Sequence, residues 1–142
     1  MPKNLYMEKI GKKAKLASFN LSTLTIDKKN SVLKLFNQYL KSNKKLILSA
    51  NKKDISHARS KKMRESMIDR LKLSNKKITQ ITSSIDKIIK FKNPIGKTLS
   101  SWKRPNGLVI KKKSIPIGVI GVIYESRPNV TSDVSALCFK SG

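Results

Sequence analysis

The sequence has few of the side chains from which reactive and metal-binding sites are built. It contains one cysteine, Cys138, one histidine, His57, and 8 acidic residues against 32 lysines and arginines. A single cysteine excludes an intramolecular disulfide. His57 has only Asp54 near it at ligand spacing, so we expect no metal site. No apolar run is long enough for a signal peptide or a membrane span, which predicts a cytoplasmic protein with no membrane partner.

Positive charge is what the chain has in excess. The formal net charge of +24 favours nucleic acid as a partner, because lysine and arginine bind phosphates and release counterions. However, the lysines run from Lys3 to Lys140 between helix-periodic apolar residues, and only five of the 32 cations are arginine. Dispersed lysine is typical of solvated helix faces. A basic nucleic-acid-binding protein therefore stays the alternative function, and we expect no specific nucleic-acid partner.

Residues 1–100 read as a helical amino-terminal region. Thr25 and Ser74 are predicted N-caps, since their hydroxyls can accept from the first free amides of a helix. Each precedes a stripe of apolar residues at three- and four-residue steps. The first stripe is Val32, Leu33, Leu35, Phe36, Tyr39 and Leu40, and the second is Ile78, Ile81, Ile85, Ile88 and Ile89.

Residues 101–142 have the pattern of the start of a nucleotide-binding α/β domain. Turn residues 105–107 separate two segments that form a hairpin-like pair of strands. Residues 118–124 are almost all apolar, which predicts a strand covered on both faces in a parallel sheet. Pro128, Asn129 and Thr131 then begin a helix with Val134, Leu137 and Cys138 on its buried side. Gly118 and Gly121 do not form a dinucleotide-binding turn, and we interpret them as points of close approach by a neighbouring element.

The loop between that strand and helix is the candidate site, because ligands of parallel α/β sheets bind beyond the carboxyl ends of the strands. Arg127 can bind a phosphate or carboxylate with two hydrogen bonds, and the first amides of the next helix attract anions. One alternative stays open: Arg127 and Glu125 form a surface ion pair and Asn129 caps the helix.

At this loop the sequence is similar to a known family. Residues 115–142 resemble gamma-glutamyl phosphate reductases, also called glutamate-5-semialdehyde dehydrogenases, through the signature Tyr-Glu-x-Arg-Pro-Asn and the segment Leu-Cys-x-Lys-x-Gly. Upstream, the segments 47–51, 69–73, 93–96 and 104–108 agree with the same family, as does Asp54. The resemblance therefore extends over almost the whole chain.

The resemblance implies an α/β fold of the aldehyde dehydrogenase superfamily, in which amino-terminal helices and a hairpin-like strand pair precede the first strand and helix of a parallel cofactor-binding sheet. It implies that the complete enzyme uses NADPH to reduce L-glutamate 5-phosphate to L-glutamate 5-semialdehyde, with phosphate release, in L-proline biosynthesis. A cysteine thiolate attacks the acyl phosphate, and the thioester accepts hydride. A homo-oligomer and glutamate 5-kinase are the protein partners that the resemblance suggests.

Only the loop can be matched to the family's functional residues one by one. Glu125, Ser126, Arg127, Pro128 and Asn129 fall on its signature, which implies contact with cofactor or substrate. Asn129 is a candidate oxyanion contact. Cys138 matches a family cysteine that is not the reactive one, and its place on the apolar side of a helix predicts a buried, inert thiol. The reactive cysteine of the family falls beyond Gly142, so we expect an amino-terminal fragment that is inactive alone. Action through association with longer subunits is a further possibility, which no feature of the sequence requires.

Overall fold

The computed structural model describes residues 5–142. This part of the chain contains six helices and two strands. The elements are α1 (Leu5–Thr23), α2 (Ile26–Ser42), α3 (Lys44–Ser60), α4 (Glu65–Leu71), α5 (Asn75–Lys90), β1 (Thr98–Lys103), β2 (Val109–Lys113) and α6 (Pro128–Ser141). None of the helices in residues 5–142 combines the length and the apolar character needed to cross a membrane.

Both predicted N-caps are confirmed. The Thr25 hydroxyl accepts a hydrogen bond from the Lys28 amide at 3.3 Å, and the Ser74 hydroxyl accepts one from the Lys77 amide at 3.2 Å. These bonds satisfy amides that have no partner within the helix, so they fix where α2 and α5 begin.

The apolar stripe of α5 is confirmed and that of α2 is narrower than predicted. In α5, Ile78, Ile81, Ile85 and Ile88 are buried. In α2 Leu33 is buried, but Leu35 and Tyr39 are exposed, because the 3.6-residue period places them away from the face that Leu33 occupies.

The core lies where α2, α5 and α6 meet. Its buried members are Leu33, Ile81, Ile85, Ile88 and Ala136. Half-buried side chains pack around them: Phe36, Leu40, Leu73, Ile89 and Phe139. The helix that follows the candidate loop is therefore held against the earlier helices by apolar packing.

The buried face of α6 differs from the prediction. Ser132, Ala136 and Lys140 are its buried residues, whereas Leu137 is 46% exposed and Val134 and Cys138 are half-buried. Positions 132, 136 and 140 lie one helical turn apart. The small side chains of Ser132 and Ala136 let α6 approach α5 closely. The more apolar side of α6 faces away from this core, which is why hydrophobicity alone indicates the wrong face.

Two lysines, Lys29 and Lys140, are buried at the edge of this core, each 3% exposed. Lys140 donates to the Ile89 carbonyl at 2.9 Å and to the Asn30 side-chain oxygen. Burial lowers the pKa of both ammonium groups, and the nearby charge of Lys29 lowers the pKa of Lys140 further. Both ammonium groups are thus more easily deprotonated in the folded chain than in the unfolded chain.

A pH-dependent contribution to stability follows from Lys140. Its folded pKa lies below 10.5 and its unfolded pKa near that value, so the unfolded chain binds more protons between the two. The free energy of unfolding should therefore rise as pH increases through this window, and Lys140→Met should reduce the rise. Lys72, whose pKa is raised, contributes only above 10.5. Urea unfolding at a series of alkaline pH values measures this effect.

Lys34→Met is the matched control for this prediction, because Lys34 is exposed on α2. It should retain the rise seen in the wild type. An equal rise in the Lys140→Met chain would show that Lys140 does not contribute.

The predicted strand pair is confirmed as an antiparallel hairpin of β1 and β2, in which Trp102 lies opposite Ile110. Its turn is closed by a hydrogen bond from the Arg104 amide to the Leu108 carbonyl at 2.9 Å. Gly107 adopts a φ of +86°, which glycine reaches without strain. A domain boundary between residues 100 and 101 stays a prediction.

The predicted strand at 118–124 is not formed among the described residues. A strand requires a neighbour to pair with, and the only sheet within residues 5–142 is the hairpin. Gly118 has a φ of +106°, and no atom of a neighbouring element lies within 4 Å of the Cβ position of Gly118 or Gly121. The interpretation of both glycines as points of close approach is therefore wrong, and at Gly118 the backbone conformation accounts for the residue type.

Candidate functional site

The loop 125–129 makes a sharp entry into α6. Ser126 has a φ of +48°, which is uncommon for a residue with a side chain, and Arg127 occupies the N-cap position of the helix. Pro128 is the first helical residue, where its fixed φ suits a helix start. Just before and after the loop, the hydroxyls of Tyr124 and Thr131 are hydrogen-bonded at 2.7 Å. The loop is thus anchored to the first turn of α6.

Two of the five predicted site residues, Arg127 and Asn129, reach a common cleft. It is open, has a volume of about 380 Å³, and is also lined by Asp69, Arg70 and Lys77. We call it the cationic cleft, because these side chains carry three positive charges and one negative charge. Glu125, Ser126 and Pro128 do not line it. The structure therefore separates residues that face the cleft from residues that shape the loop.

The alternative interpretation of the loop is wrong in both parts. Among residues 5–142 no ion pair joins Glu125 to Arg127. Asn129 does not cap α6, since its side-chain amide lies two residues past the N-cap and donates to the Asp133 carboxylate at 3.4 Å. An amide carries two N–H donors, so Asn129 keeps one for a ligand.

A second wall of the cationic cleft is built by α4 and α5. Lys77 donates its ammonium to the Asp69 carbonyl at 3.3 Å and to the Lys72 carbonyl. The Asn51 side chain, from α3, accepts from the Leu73 amide at 2.8 Å and donates to the Leu71 carbonyl at 2.9 Å. These bonds fix the short connection between α4 and α5, and with it the backbone that carries this wall.

The carboxylates of this wall, Asp69 and Glu65, both form ion pairs with Lys72. The Asp69 carboxylate lies 2.6 Å from the Lys72 ammonium and Glu65 lies 3.3 Å from it. The hydrogen bond and charge of Lys72 lower the pKa of Asp69, and the same contacts raise the pKa of Lys72. Asp69 therefore stays ionised and paired with Lys72, and neutralises little of the remaining positive charge in the cleft.

Sequence reasoning did not identify Asp69, Arg70 or Lys77 as site residues. A signal was present, because segment 69–73 carries part of the family resemblance. Without a structure, nothing indicated that this segment faces the loop at 125–129.

A smaller cleft of about 220 Å³ adjoins the cationic cleft and shares Lys77 and Asn129 with it. Its other polar residues include Gln80, Ser84 and Asp133. The Oδ1 atom of Asp133 is buried without a hydrogen-bond partner in the protein, so this end of the site has an unused acceptor.

A groove of about 380 Å³ between α1, residues 115–120 and α6 has a different character. Its lining is almost entirely apolar, and the hydroxyls of Ser18 and Ser141 donate to carbonyls of their own helices. Cys138 lies on this groove and is half-buried rather than buried as predicted. With no charged or imidazole group lining the groove, Cys138 lacks the surroundings that activate a thiol.

Residues 5–142 lack two features that are typical of dinucleotide-binding folds. Their only sheet is an antiparallel hairpin, and no glycine-rich phosphate turn precedes α6. No cluster of three or more His, Cys, Asp or Glu side chains that could hold a metal ion occurs within residues 5–142. The side chains that line the cationic cleft supply positive charge and hydrogen-bond donors, which suit the binding of an anion.

Known proteins match the chain closely in sequence. It is 47% identical over 131 residues to the gamma-glutamyl phosphate reductase of Caldicellulosiruptor bescii, a match that covers 92% of this chain and 31% of that protein. It is 48% identical over 136 residues to the enzyme of the same name from Nitratiruptor, with 96% and 33% covered. The chain thus spans about a third of the length of the curated relatives it matches. No family model matches it.

Solved structures agree with these sequence matches. The crystal structure of gamma-glutamyl phosphate reductase from Thermotoga maritima superimposes with a TM-score of 0.87 at 40% identity, covering 92% of this chain and 31% of that one. The structure of the Saccharomyces cerevisiae enzyme gives 0.88 at 30% identity, with 94% and 34% covered. These matches do not favour the alternative of a nucleic-acid-binding protein.

Proposed function

Because the chain belongs to the gamma-glutamyl phosphate reductase family over the third of that family's length that it spans, we propose that it serves the family's reaction. That reaction is the reduction of L-glutamate 5-phosphate to L-glutamate 5-semialdehyde with release of phosphate, in proline biosynthesis. NADPH supplies the hydride. The observation that carries the proposal is that the loop matching the family signature brings Arg127 and Asn129 to a positively charged cleft.

In this proposal the chain binds the acyl phosphate and stabilises the charge that develops during the reaction. Arg127 and Lys77 balance the negative charge of the phosphate group. The free N–H of Asn129 donates to the carbonyl oxygen as it becomes an oxyanion. The attacking thiolate is not Cys138, whose apolar groove is separate from the cationic cleft. We therefore expect no turnover from the 142 residues alone.

A chimera tests the proposed function. In it, this chain replaces the matching third of the Thermotoga maritima enzyme, and the phosphate-dependent oxidation of glutamate 5-semialdehyde by NADP is measured. We expect activity within about tenfold of the parent, because the packing that positions the cleft lies inside the exchanged segment. Asn129→Ala should lower kcat by about 100-fold, the loss typical of one oxyanion donor.

The matched control is Asn20→Ala, which changes an exposed asparagine on α1 and should leave kcat as it is. A folded, soluble chimera without activity would contradict the proposed function. Equal kcat values in the Asn129→Ala and Asn20→Ala chimeras would contradict the role of Asn129.

Further expectations come from the family and stay predictions. They are a homo-oligomer, association with glutamate 5-kinase, NADPH rather than NADH as the reductant, and a cytoplasmic location. Contact of Glu125, Ser126 and Pro128 with cofactor or substrate is a prediction of the same kind.

A further inference from the structure

Arg70 is a cation that the fold leaves without a partner. The acidic residues nearest to it in α4, Glu65 and Asp69, both bind Lys72, and Glu65 also lies 3.7 Å from Arg59. Among residues 5–142 no hydrogen bond or ion pair involves the Arg70 guanidinium. Arg70 nevertheless lines the cationic cleft, so its charge is directed at a space that a ligand can enter.

Arg127 is in the same situation on the other wall. It begins α6, lines the same cleft, and its side chain makes no ion pair within residues 5–142. The two guanidinium groups come from parts of the chain that are far apart in sequence and line one cleft, and within residues 5–142 neither is paired with Asp69, the one carboxylate of its lining. Two positive charges that face one space repel each other, so an anion bound between them stabilises the folded chain.

The positive charge of the cleft complements the charge of the proposed substrate. Arg70, Lys77 and Arg127 contribute three positive charges, and the one carboxylate of the lining, that of Asp69, is already paired with Lys72. L-glutamate 5-phosphate carries about −2 on its phosphate, −1 on its α-carboxylate and +1 on its ammonium group. The net charge of the ligand is thus close to −2. One of its anionic groups lies at each end of the molecule.

We propose that Arg70 binds the α-carboxylate of the substrate and thereby selects an α-amino acid over a simple acyl phosphate. This inference rests on the proposed function, which places the reacting end of the substrate at Arg127 and Asn129. The other end then extends toward α4, where Arg70 lies. A guanidinium there matches the flat carboxylate with two parallel hydrogen bonds, which a lysine ammonium cannot do.

Kinetics of the chimera with a matched pair of aldehydes test the role of Arg70. Glutamate 5-semialdehyde and 4-aminobutanal differ only in the α-carboxylate. Arg70→Met should raise KM for the semialdehyde by about 10- to 100-fold, because a charged hydrogen-bonded pair is lost. It should leave KM for 4-aminobutanal unchanged, and Arg70→Lys should restore part of the affinity. Equal effects of Arg70→Met on both aldehydes would overturn the proposal, since they would indicate a merely structural role.

Binding to the 142-residue chain provides a readout that does not depend on catalysis. L-glutamate and 4-aminobutyrate are titrated against the 15N-labelled chain, and the arginine side-chain signals are followed. We expect at least about tenfold tighter binding of L-glutamate, and loss of this preference in Arg70→Met but not in Arg104→Met. Arg104 lies in the exposed hairpin turn and serves as the control.

The two proposals fail in different ways. An inactive chimera whose chain still prefers L-glutamate would contradict the proposed function and support the carboxylate site. An active chimera without any preference for the α-carboxylate would contradict the assignment of Arg70 alone.

Discussion

Ile85→Ala is expected to lower the free energy of unfolding by about 3 to 4 kcal/mol. The Ile85 side chain is completely buried where α2, α5 and α6 meet, among Leu33, Ile81, Ile88 and Ala136. Truncation removes apolar contacts and leaves a cavity that three packed helices cannot close. Urea unfolding of the 142-residue chain, followed by helical circular dichroism, measures the loss.

Leu35→Ala is the control for this prediction. Leu35 is 53% exposed on α2, so its truncation should change the free energy of unfolding by at most about 0.5 kcal/mol. A loss of less than about 1 kcal/mol in Ile85→Ala would show that the three helices do not share a core in solution.

Asn51→Leu is expected to destabilise the chain by about 3 kcal/mol. Asn51 is 4% exposed and bonds the backbone at Leu71, the last residue of α4, and at Leu73, in the connection to α5. Leucine has a similar size but leaves the partly buried Leu73 amide and Leu71 carbonyl without partners, which costs about 1 to 3 kcal/mol for each group. The same urea titration measures the effect.

Asn51→Asp separates the two bonds of Asn51. The carboxylate can still accept from the Leu73 amide, but it cannot donate to the Leu71 carbonyl. We expect an intermediate loss of stability from this variant and almost none from Asn20→Leu on the exposed side of α1. A stability of Asn51→Leu equal to that of Asn20→Leu would be incompatible with the hydrogen bonds described here.

Much of the fold could be predicted because its signals are local. A hydroxyl at Thr25 or Ser74 caps a helix through amides three residues away, and Gly107 permits the hairpin turn by its own φ value. The isoleucine stripe of α5 is equally local, since one helix period determines which residues share a face. These features need no knowledge of the rest of the chain.

The features that could not be predicted depend on partners elsewhere in the structure. Whether residues 118–124 form a strand is decided by what lies beside them. The buried face of α6 is decided by the shape of α5, against which the small side chain of Ala136 fits better than that of Leu137. The hydrophobic pattern of the sequence indicates neither the pairing of residues 118–124 nor the buried face of α6.

For the same reason, only part of the candidate site could be predicted from the sequence. Arg127 and Asn129 stand out because they follow a buried-looking segment and begin a helix. Arg70 and Lys77 look like any other cations on solvated helices, since the sequence does not reveal which lysine binds Asp69 and which arginine stays free. They differ from other cations only in which charged groups are paired with one another, and that pairing is established only in the folded chain.

The docking of α6 also has a consequence for the newly made polypeptide. Helices α2 to α5 can leave the ribosome and begin to pack, but one wall of the cationic cleft arrives only with Arg127, and Ala136 must reach the core to hold it there. During synthesis at about 5 to 20 residues per second, the complete cationic cleft is therefore among the last features that residues 5–142 acquire. An anion bound in the cleft would stabilise the finished arrangement but could not guide the early stages of its folding.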